Sequence, residues 1–245
     1  MKVPFEEMQF FDHLEELRWR VIKSAIAIII FAIPAGIFWK EIIDLVMIYP
    51  LRYTNPRPKL IFTTPAESVI LSFQIAIFFG FIAAAPVVFY QIWRFISPGL
   101  YKNEKRLVLP TVIASTFFFL LGIFFCYFTF PVVMNFLVSF AGNRLDPMFK
   151  ANEYFSFLLK LSLSFGIVFE LPVVSFVLAR LGILTAGFLI KNMRYAIIII
   201  FILAAILTPP DIFSQGLLAA PLLALYGISI LVAAVASKKK KKEVT

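Results

Sequence analysis

Apolar residues along this chain fall into six blocks that are separated by short polar connectors. Within each block the apolar positions are continuous and lack the strict alternation of a membrane β-strand, so the blocks predict helices. A run of about 20 apolar residues is long enough to span a hydrocarbon core of about 30 Å. The predicted transmembrane helices cover residues 21–39, 69–93, 107–137, 154–179, 195–207 and 216–236.

This pattern predicts an all-α, multi-span membrane protein. The connectors are too short to hold another domain, so residues 1–245 are interpreted as a single integral membrane domain. Composition agrees, because 61% of the residues are hydrophobic and only 15% are charged. A soluble domain has about 45–50% apolar and about 25% charged residues. The additional apolar surface therefore has to face lipid.

Lysines and arginines are distributed unequally over the connectors. Most of them lie before the first block, in the second and fourth connectors, and in the lysine run at 238–242. Because basic residues remain on the cytoplasmic side, both termini are predicted to be cytoplasmic. The same asymmetry accounts for the net charge of +9. A nucleic-acid-binding tail is the alternative for the lysine run, but beside a span the topological interpretation is favoured and no nucleic-acid partner is expected.

The chain offers few groups for catalysis or metal binding. It has one cysteine, Cys126, which lies within a predicted span, and one histidine, His13. Phosphate-binding loops, zinc motifs and hydrolase elbows are absent from the sequence. We therefore predict a protein that is not an enzyme and has no cofactor or metal site.

The segment HLEELR at residues 13–18 precedes the first span and has helical amphipathicity. One stripe is apolar and the opposite side is charged, which predicts a helix at the inner membrane surface. Glu16 then has two interpretations. An i,i+4 pair with Arg20, worth about 0.3–0.5 kcal/mol, is favoured by spacing alone. Alternatively Glu16, with Glu104 in the basic second connector, forms an acidic spot that attracts a cationic peptide.

Several polar and proline residues mark the ends of helices. Thr64 is predicted as an N-cap, with Glu67 closing a capping box. Pro50 belongs to a proline-rich outer connector that we expect to be a stiff extended or turning loop. Asp211 follows two prolines that stop the fifth helix, and its expected role is to cap the sixth helix.

Glu170 lies within the fourth predicted span, where an acid costs about 2.5–3.5 kcal/mol on insertion scales. Lys160 is ten residues away, about 15 Å along the axis, and points to another side, so a direct pair is not expected. Pro172 is predicted to kink the helix here and to open a concave face of the bundle. From the residues alone, Glu170 is expected either to make an internal bond to a neighbouring helix or to have a function at membrane depth.

Five motifs, in order along the chain, resemble those of the TatC family, the multi-span receptor subunit of the twin-arginine protein translocase. They are HLEELR at 13–18, FTTPAES at 62–68, APVVFYQIWRFISPGLYKNEKR at 85–106, SFGIVFELPVV at 164–174 and LTPPDIFSQ at 207–215. The lysine run near the C-terminus is not part of the family pattern. The resemblance implies a multi-pass protein in the cytoplasmic (inner) membrane of a prokaryote.

The resemblance implies that the chain recognises signal peptides with two consecutive arginines on folded precursor proteins. The family's binding acids fall on Glu16 and Glu104 in this sequence. Guanidinium groups form bidentate, charge-assisted hydrogen bonds with carboxylates, and lysine does not reproduce that geometry. Two adjacent arginines therefore call for two carboxylates from different elements.

The resemblance also implies protein partners within the membrane. Small single-span subunits of the TatA and TatB class are expected to dock beside the fifth span, where Thr208 and Gln215 match polar family positions. Glu170 is expected to serve the same contact and Pro50 to matter for assembly, with more than one copy of the chain in the complex. The fifth span is only about 20 Å long, so we expect either that the bilayer thins locally or that a partner covers the mismatch.

Two other functions remain open on the residues alone. A proton-coupled transporter of small solutes with Glu170 as its carrier would suit six spans and an intramembrane acid. Against it, the two halves of the sequence do not resemble each other. A structural scaffold without a cargo site is the third reading.

Overall fold

Long helices form nearly all of the described structure. The computed structural model describes residues 5–96, 108–140, 146–207 and 212–244. In chain order the elements are α1 (Phe5–Ile37), α2 (Trp39–Ile43), a π-helix (Asp44–Ile48), α3 (Tyr49–Leu51), β1 (Lys59–Ile61), α4 (Glu67–Ile96), α5 (Val108–Phe140), β2 (Met148–Lys150), α6 (Ala151–Phe169), α7 (Leu171–Leu181), α8 (Ala186–Lys191), α9 (Met193–Leu207) and α10 (Ile212–Val244).

Five helical segments in the described ranges are long and apolar enough to cross a membrane. A sixth apolar helix, α9, has 15 residues, a length of about 22 Å at about 1.5 Å per residue. The fifth predicted block is therefore a helix, but it is shorter than an ordinary span. The five span-length segments are His13–Ile37, Glu67–Ile96, Val108–Ser139, Ala151–Leu181 and Ile212–Ser237.

The chain divides into two compact units, and the first comprises Met1–Ile43 with Ser68–Thr116. Inside it, α1 and α4 approach closely where both carry small residues. A Cβ atom built on Gly80 would lie 2.7 Å from the backbone of Ala32, so the contact requires glycine. Nearer the end of α4, the buried indole of Trp93 donates to the hydroxyl of Ser115 at 2.8 Å. This bond attaches α4 to the first part of α5.

The second unit comprises Asp44–Glu67 with Phe117–Thr245. Its core contains large side chains from α5 and α6, with Phe119, Phe130, Phe155 and Phe165 all at most 2% exposed. The α5–α6 contact again depends on glycine, since a Cβ atom on Gly166 would lie 2.5 Å from the Phe119 ring. Close helix contact through small residues is a common way to gain packing in membranes, where the hydrophobic effect between helices is weak.

A two-stranded parallel sheet corrects the prediction of an all-α fold. Strands β1 and β2 pair with Lys59 opposite Met148 and Ile61 opposite Lys150. Each strand lies in a connector between long helices and is three residues long. A strand this short shows no period in the sequence, and its pairing depends on residues about ninety positions apart. The fold is therefore nearly all helical, with one small sheet.

The fourth predicted span is two helices, α6 and α7, that meet at Glu170. The amide of Glu170 donates to the carbonyl of Ile167 at 3.1 Å, a tighter turn than the α-helical pattern. Pro172, which has no amide N–H, follows in the first turn of α7. The break lies where the proline was predicted to disturb the helix. Helix α7 then ends at Gly182, whose φ of 82° closes a left-handed C-cap.

Candidate functional site

Glu16 lies on the side of α1 that faces α4. Its Oε1 atom accepts hydrogen bonds from Nε of Arg20 at 3.0 Å and also from Nη2 of Arg20. Nη1 of the same guanidinium donates to Oε1 of Gln91 on α4 at 3.3 Å. The Glu16–Arg20 pair that the spacing favoured is thus present, and Gln91 of α4 fixes it through its hydrogen bond with Arg20.

The second carboxylate oxygen of Glu16 is differently placed. Oε2 lies 3.9 Å from Nδ1 of His13, which is beyond hydrogen-bond distance. The His13 ring stacks on Phe95 of α4, with ring centroids 4.3 Å apart. The side chain of Glu16 is 37% exposed while that of Arg20 is only 14% exposed. The carboxylate is therefore anchored through one oxygen and open at the other.

The apolar stripe of this segment of α1 faces away from α4. Leu14, Leu17 and Val21 are all exposed, and the charged side of the helix contacts α4. In a soluble protein the apolar stripe would pack on the core and the charged side would face solvent. An outward apolar stripe is expected where lipid surrounds the helix. The segment is continuous with the first span in one helix of 33 residues.

Gln91 and Phe95 are parts of this site that the sequence did not indicate. They are four residues apart on α4, so they share one face of the helix. Their partners lie about seventy residues or more earlier in the chain. Only the i,i+4 spacing of a polar and an aromatic residue near the end of a span could have suggested them.

Glu104, the second predicted binding acid, lies outside the described residues. The described part of α4 ends at Ile96, eight residues before it in sequence. Thr208 and Asp211 also lie outside the described residues, as do the two prolines between them. The structure does not test the predicted roles of these residues.

Thr64 and Glu67 form a different arrangement from the predicted capping box. Helix α4 begins at Glu67 rather than near residue 65. Oε2 of Glu67 accepts from the backbone amide of Thr63 at 2.7 Å and from its hydroxyl at 3.1 Å. Thr64 instead contributes its carbonyl, which accepts from the amide of Glu67. The predicted capping box with Thr64 as N-cap is therefore wrong. Residues 63–66 form a turn before the helix, so the Glu67 carboxylate bonds to Thr63 instead.

Glu67 also connects this turn to a distant element. Its Oε1 atom lies 3.4 Å from the amide nitrogen of Asn152 in the first turn of α6. The residue is only 7% exposed, and all three donors belong to the second unit. Its role is therefore structural: it joins the starts of α4 and α6 beside the β1–β2 pair.

Pro50 lies in a helical turn, which corrects the prediction of an extended or simple turning loop here. The π-helix and α3 occupy residues 44–51, and Pro50 is at the start of α3, where its missing amide N–H costs no hydrogen bond. The side chain is fully buried. It also lines a cavity beside α5. A role in assembly stays a prediction.

Gln215 and Glu170 both lie in the second unit. Nε2 of Gln215 donates to the carbonyl of Phe201 at 2.9 Å, which joins α10 to α9. Glu170 is 9% exposed at the break between α6 and α7. The described residues contain no group of three His, Cys, Asp or Glu suited to hold an ion.

These features define a class: a multi-span helical membrane protein with a polar site at the end of a helix pair. Comparison with protein families identifies it further. The family model described as Sec-independent protein translocase protein (TatC) matches residues 12–221. The chain belongs to the TatC family.

Curated relatives match over nearly the full length. The TatC protein of Desulforapulum autotrophicum is 41% identical over 97% of this chain and 88% of its own length. That of Carboxydothermus hydrogenoformans is 42% identical over 92% of this chain and 93% of its own length. That of Aquifex aeolicus is 40% identical, with coverages of 96% and 98%.

Solved structures agree with these relatives. A crystal structure of the twin-arginine translocase receptor TatC is 38% identical and superposes with a TM-score of 0.77, covering 92% of this chain and 99% of its own. A second one, in a maltoside detergent, gives 39% identity and a TM-score of 0.80, with coverages of 90% and 99%.

Family membership decides several predictions. The chain is a component of a bacterial protein translocase, it lies in the membrane, and its family is not enzymatic, so these three predictions are confirmed. Membership favours protein translocation over a solute transporter or a passive scaffold.

Proposed function

We propose that this chain is the receptor and core subunit of a twin-arginine translocase. It binds twin-arginine signal peptides of folded precursors at the cytoplasmic face and recruits small single-span subunits of the TatA and TatB class. The observation that carries the proposal is the geometry of Glu16, whose Oε1 is held by Arg20, which is itself bonded to Gln91, while Oε2 is open.

The chemistry of this site suits an incoming guanidinium. Arg20 and Gln91 fix the carboxylate before the peptide arrives, so little side-chain freedom is lost on binding. The open oxygen can accept a charge-assisted hydrogen bond from one peptide arginine. A second adjacent arginine requires a second acid, and we assign that role to Glu104.

A peptide-binding measurement tests this assignment. Glu16→Ala and Glu104→Ala should each weaken binding of a twin-arginine peptide by about 1.5–3 kcal/mol, about 10- to 100-fold in Kd, because each removes a charge-assisted contact. Replacement of either acid by Lys should be worse because it adds repulsion. Glu15→Ala is the matched control, since Glu15 is an exposed neighbour of Glu16. Normal binding by both folded alanine variants of Glu16 and Glu104 would refute the proposal.

Helix α9 supports the proposed recruitment of single-span subunits. Of its residues only Ile200 and Ala204 are buried, so a narrow stripe packs inward and the remaining apolar surface is exposed. A partner helix can cover that surface and offset the length mismatch with the bilayer. We place the docking edge along α9 and the α9–α10 end that holds Thr208 and Gln215.

Glu170 is proposed to receive a polar side chain from such a partner. An acid at membrane depth usually has a functional or structural partner. Glu170→Gln keeps a hydrogen-bonding group, so it should retain co-purification of single-span subunits better than Glu170→Ala. Co-purification and export that are unchanged in Glu170→Ala would leave Glu170 with a structural role only.

A further inference from the structure

A groove in the second unit runs between α5 and the segment that contains the π-helix and α3. Its volume is about 410 Å³, within the range of about 300–1,000 Å³ typical of sites for small ligands. Tyr49, Pro50 and Tyr53 line one side. Along α5 the lining residues Tyr127, Pro131 and Asn135 are spaced four apart, so they follow one face of the helix for about 12 Å.

The groove lies along the last part of the candidate span that ends at Ser139. Asn135 is four residues from that end, about 6 Å along the axis, and Tyr127 is twelve residues from it, about 18 Å. We call the end of the groove at Asn135 its shallow end and the end at Tyr127 its deep end. The groove is open to its surroundings along Phe128 and Val132, whose side chains are exposed.

Polar groups line part of the groove. The hydroxyl of Tyr53 donates to that of Tyr49 at 2.8 Å, and at the shallow end Oδ1 of Asn135 accepts from the amide of Asn55 at 3.1 Å. At the deep end, the hydroxyl of Tyr127 donates to the carbonyl of Leu45 at 2.8 Å. Because that hydroxyl already has an acceptor, the deep end presents an apolar surface.

Charge at the shallow end is positive. The sequence from residue 49 to 59 holds Arg52, Arg57 and Lys59 and no acidic residue. The guanidinium of Arg52 lies 5.9 Å from the ring centroid of Tyr49, at the edge of the groove. The hydrogen bond to Tyr49 raises the pKa of Tyr53 above its usual value, so no phenolate offsets this positive charge at neutral pH.

We propose that the groove binds an anionic phospholipid from the leaflet that contains residues 49–59. The phosphate group contacts Arg52, the headgroup lies among the tyrosine and asparagine side chains, and one acyl chain extends along Phe128 and Val132. The match in polarity and charge, along a candidate membrane span, supports a lipid over a soluble ligand. The inference does not depend on signal-peptide binding, which involves residues of the other unit.

Native mass spectrometry of the full chain tests the site. The protein is reconstituted in vesicles with equal amounts of phosphatidylglycerol and phosphatidylcholine, extracted in mild detergent, and its retained lipids are counted. The unmodified chain should retain phosphatidylglycerol in preference to phosphatidylcholine. Arg52→Gln should reduce that retention about fivefold, because one cation near the phosphate is lost. Val132→Trp fills the groove and should reduce it at least as much.

Two variants serve as matched controls. Arg194→Gln removes an exposed cation at the start of α9, outside the groove, and Ile206→Trp adds an indole at an exposed position of the same helix. Both should retain phosphatidylglycerol normally. Equal retention of the two lipids by the unmodified chain, or equal losses in the controls, would overturn the proposal. Unchanged phosphatidylglycerol in a Val132→Trp variant that loses association with another protein would also overturn it, in favour of a protein occupant.

Discussion

Glu67 and Glu153 occupy comparable positions, since each lies in the first turn of a helix that follows a strand. Their surroundings differ greatly. Glu67 is buried and accepts hydrogen bonds from Thr63 and Asn152. Glu153 pairs with Lys150 at 3.3 Å, and its side chain is 73% exposed. The same residue type therefore stabilises the fold by very different amounts.

Replacement of these two acids separates the contributions. Glu67→Ala should lower the free energy of unfolding by about 1.5–3 kcal/mol, because three part-buried hydrogen bonds to a charged acceptor are lost. Glu153→Ala, the matched control, should lower it by about 0.5 kcal/mol or less, since the pair is exposed. Thermal unfolding in detergent measures both. Similar melting temperatures for the two variants would contradict the structural role given to Glu67.

The sequence could predict a reach-back carboxylate at Glu67 because the capping pattern is local. It could not predict Thr63 as the partner, which depends on the turn at residues 63–66, or Asn152, which is 85 residues away. The Glu16–Arg20 pair was predictable for the same local reason. Its attachment to Gln91 was not, because that contact depends on how α1 packs on α4.

At the scale of elements, the long helices were predictable because block length and continuous apolarity are strong signals. Strands β1 and β2 were missed because three residues carry no detectable period. The sequence also could not predict which helices contact each other, although two glycines show what determines such contacts. Gly80 lies against the backbone of α1, whereas a Cβ atom on Gly227 in α10 would have no neighbour within 4 Å.

Alanine at these two glycines should change stability in opposite directions. Gly80→Ala should lower the free energy of unfolding by about 1–3 kcal/mol, because its Cβ atom would overlap the backbone of Ala32 and force the helices apart. Gly227→Ala should raise it by about 0.5–1 kcal/mol, because alanine favours a helix interior without a clash. Both are measured by thermal unfolding. Stabilisation by Gly80→Ala would show that α1 and α4 are not in close contact.

At the scale of the whole molecule, contacts within the second unit constrain the path of the chain through the membrane. Strand β1 pairs with β2, so the connectors that precede α4 and α6 lie on one side of the bilayer. Two span-length helices, α4 and α5, separate them in sequence, which is consistent with two crossings. From the excess of basic residues in the other connectors, we predict that this side is the outer one.

The prediction that α9 crosses the membrane is supported by a similar contact. Ala179 and Leu189 pack with Ala233 and Ala236 in one buried cluster, so α8 lies beside the C-terminal part of the candidate span in α10. That span has 26 residues, about 39 Å, which is enough for one crossing. With one crossing by α10, we predict that its start lies on the side opposite α8 and that α9 carries the chain across, even though α9 is only about 22 Å long.

Cysteine labelling tests this six-crossing topology with both termini inside. The native Cys126 is buried, so a membrane-impermeant thiol reagent should leave the parent chain unlabelled. Single cysteines at Asn55, Asn143 and Asp211 should react from outside intact cells, and cysteines at Asn103 and Ser237 should react only after the membrane is opened. Asp211 is decisive for α9, because a helix too short to cross would leave this residue inside. Labelling of Asn103 from outside, or protection of Asp211 together with labelling of Asn55, would refute the topology.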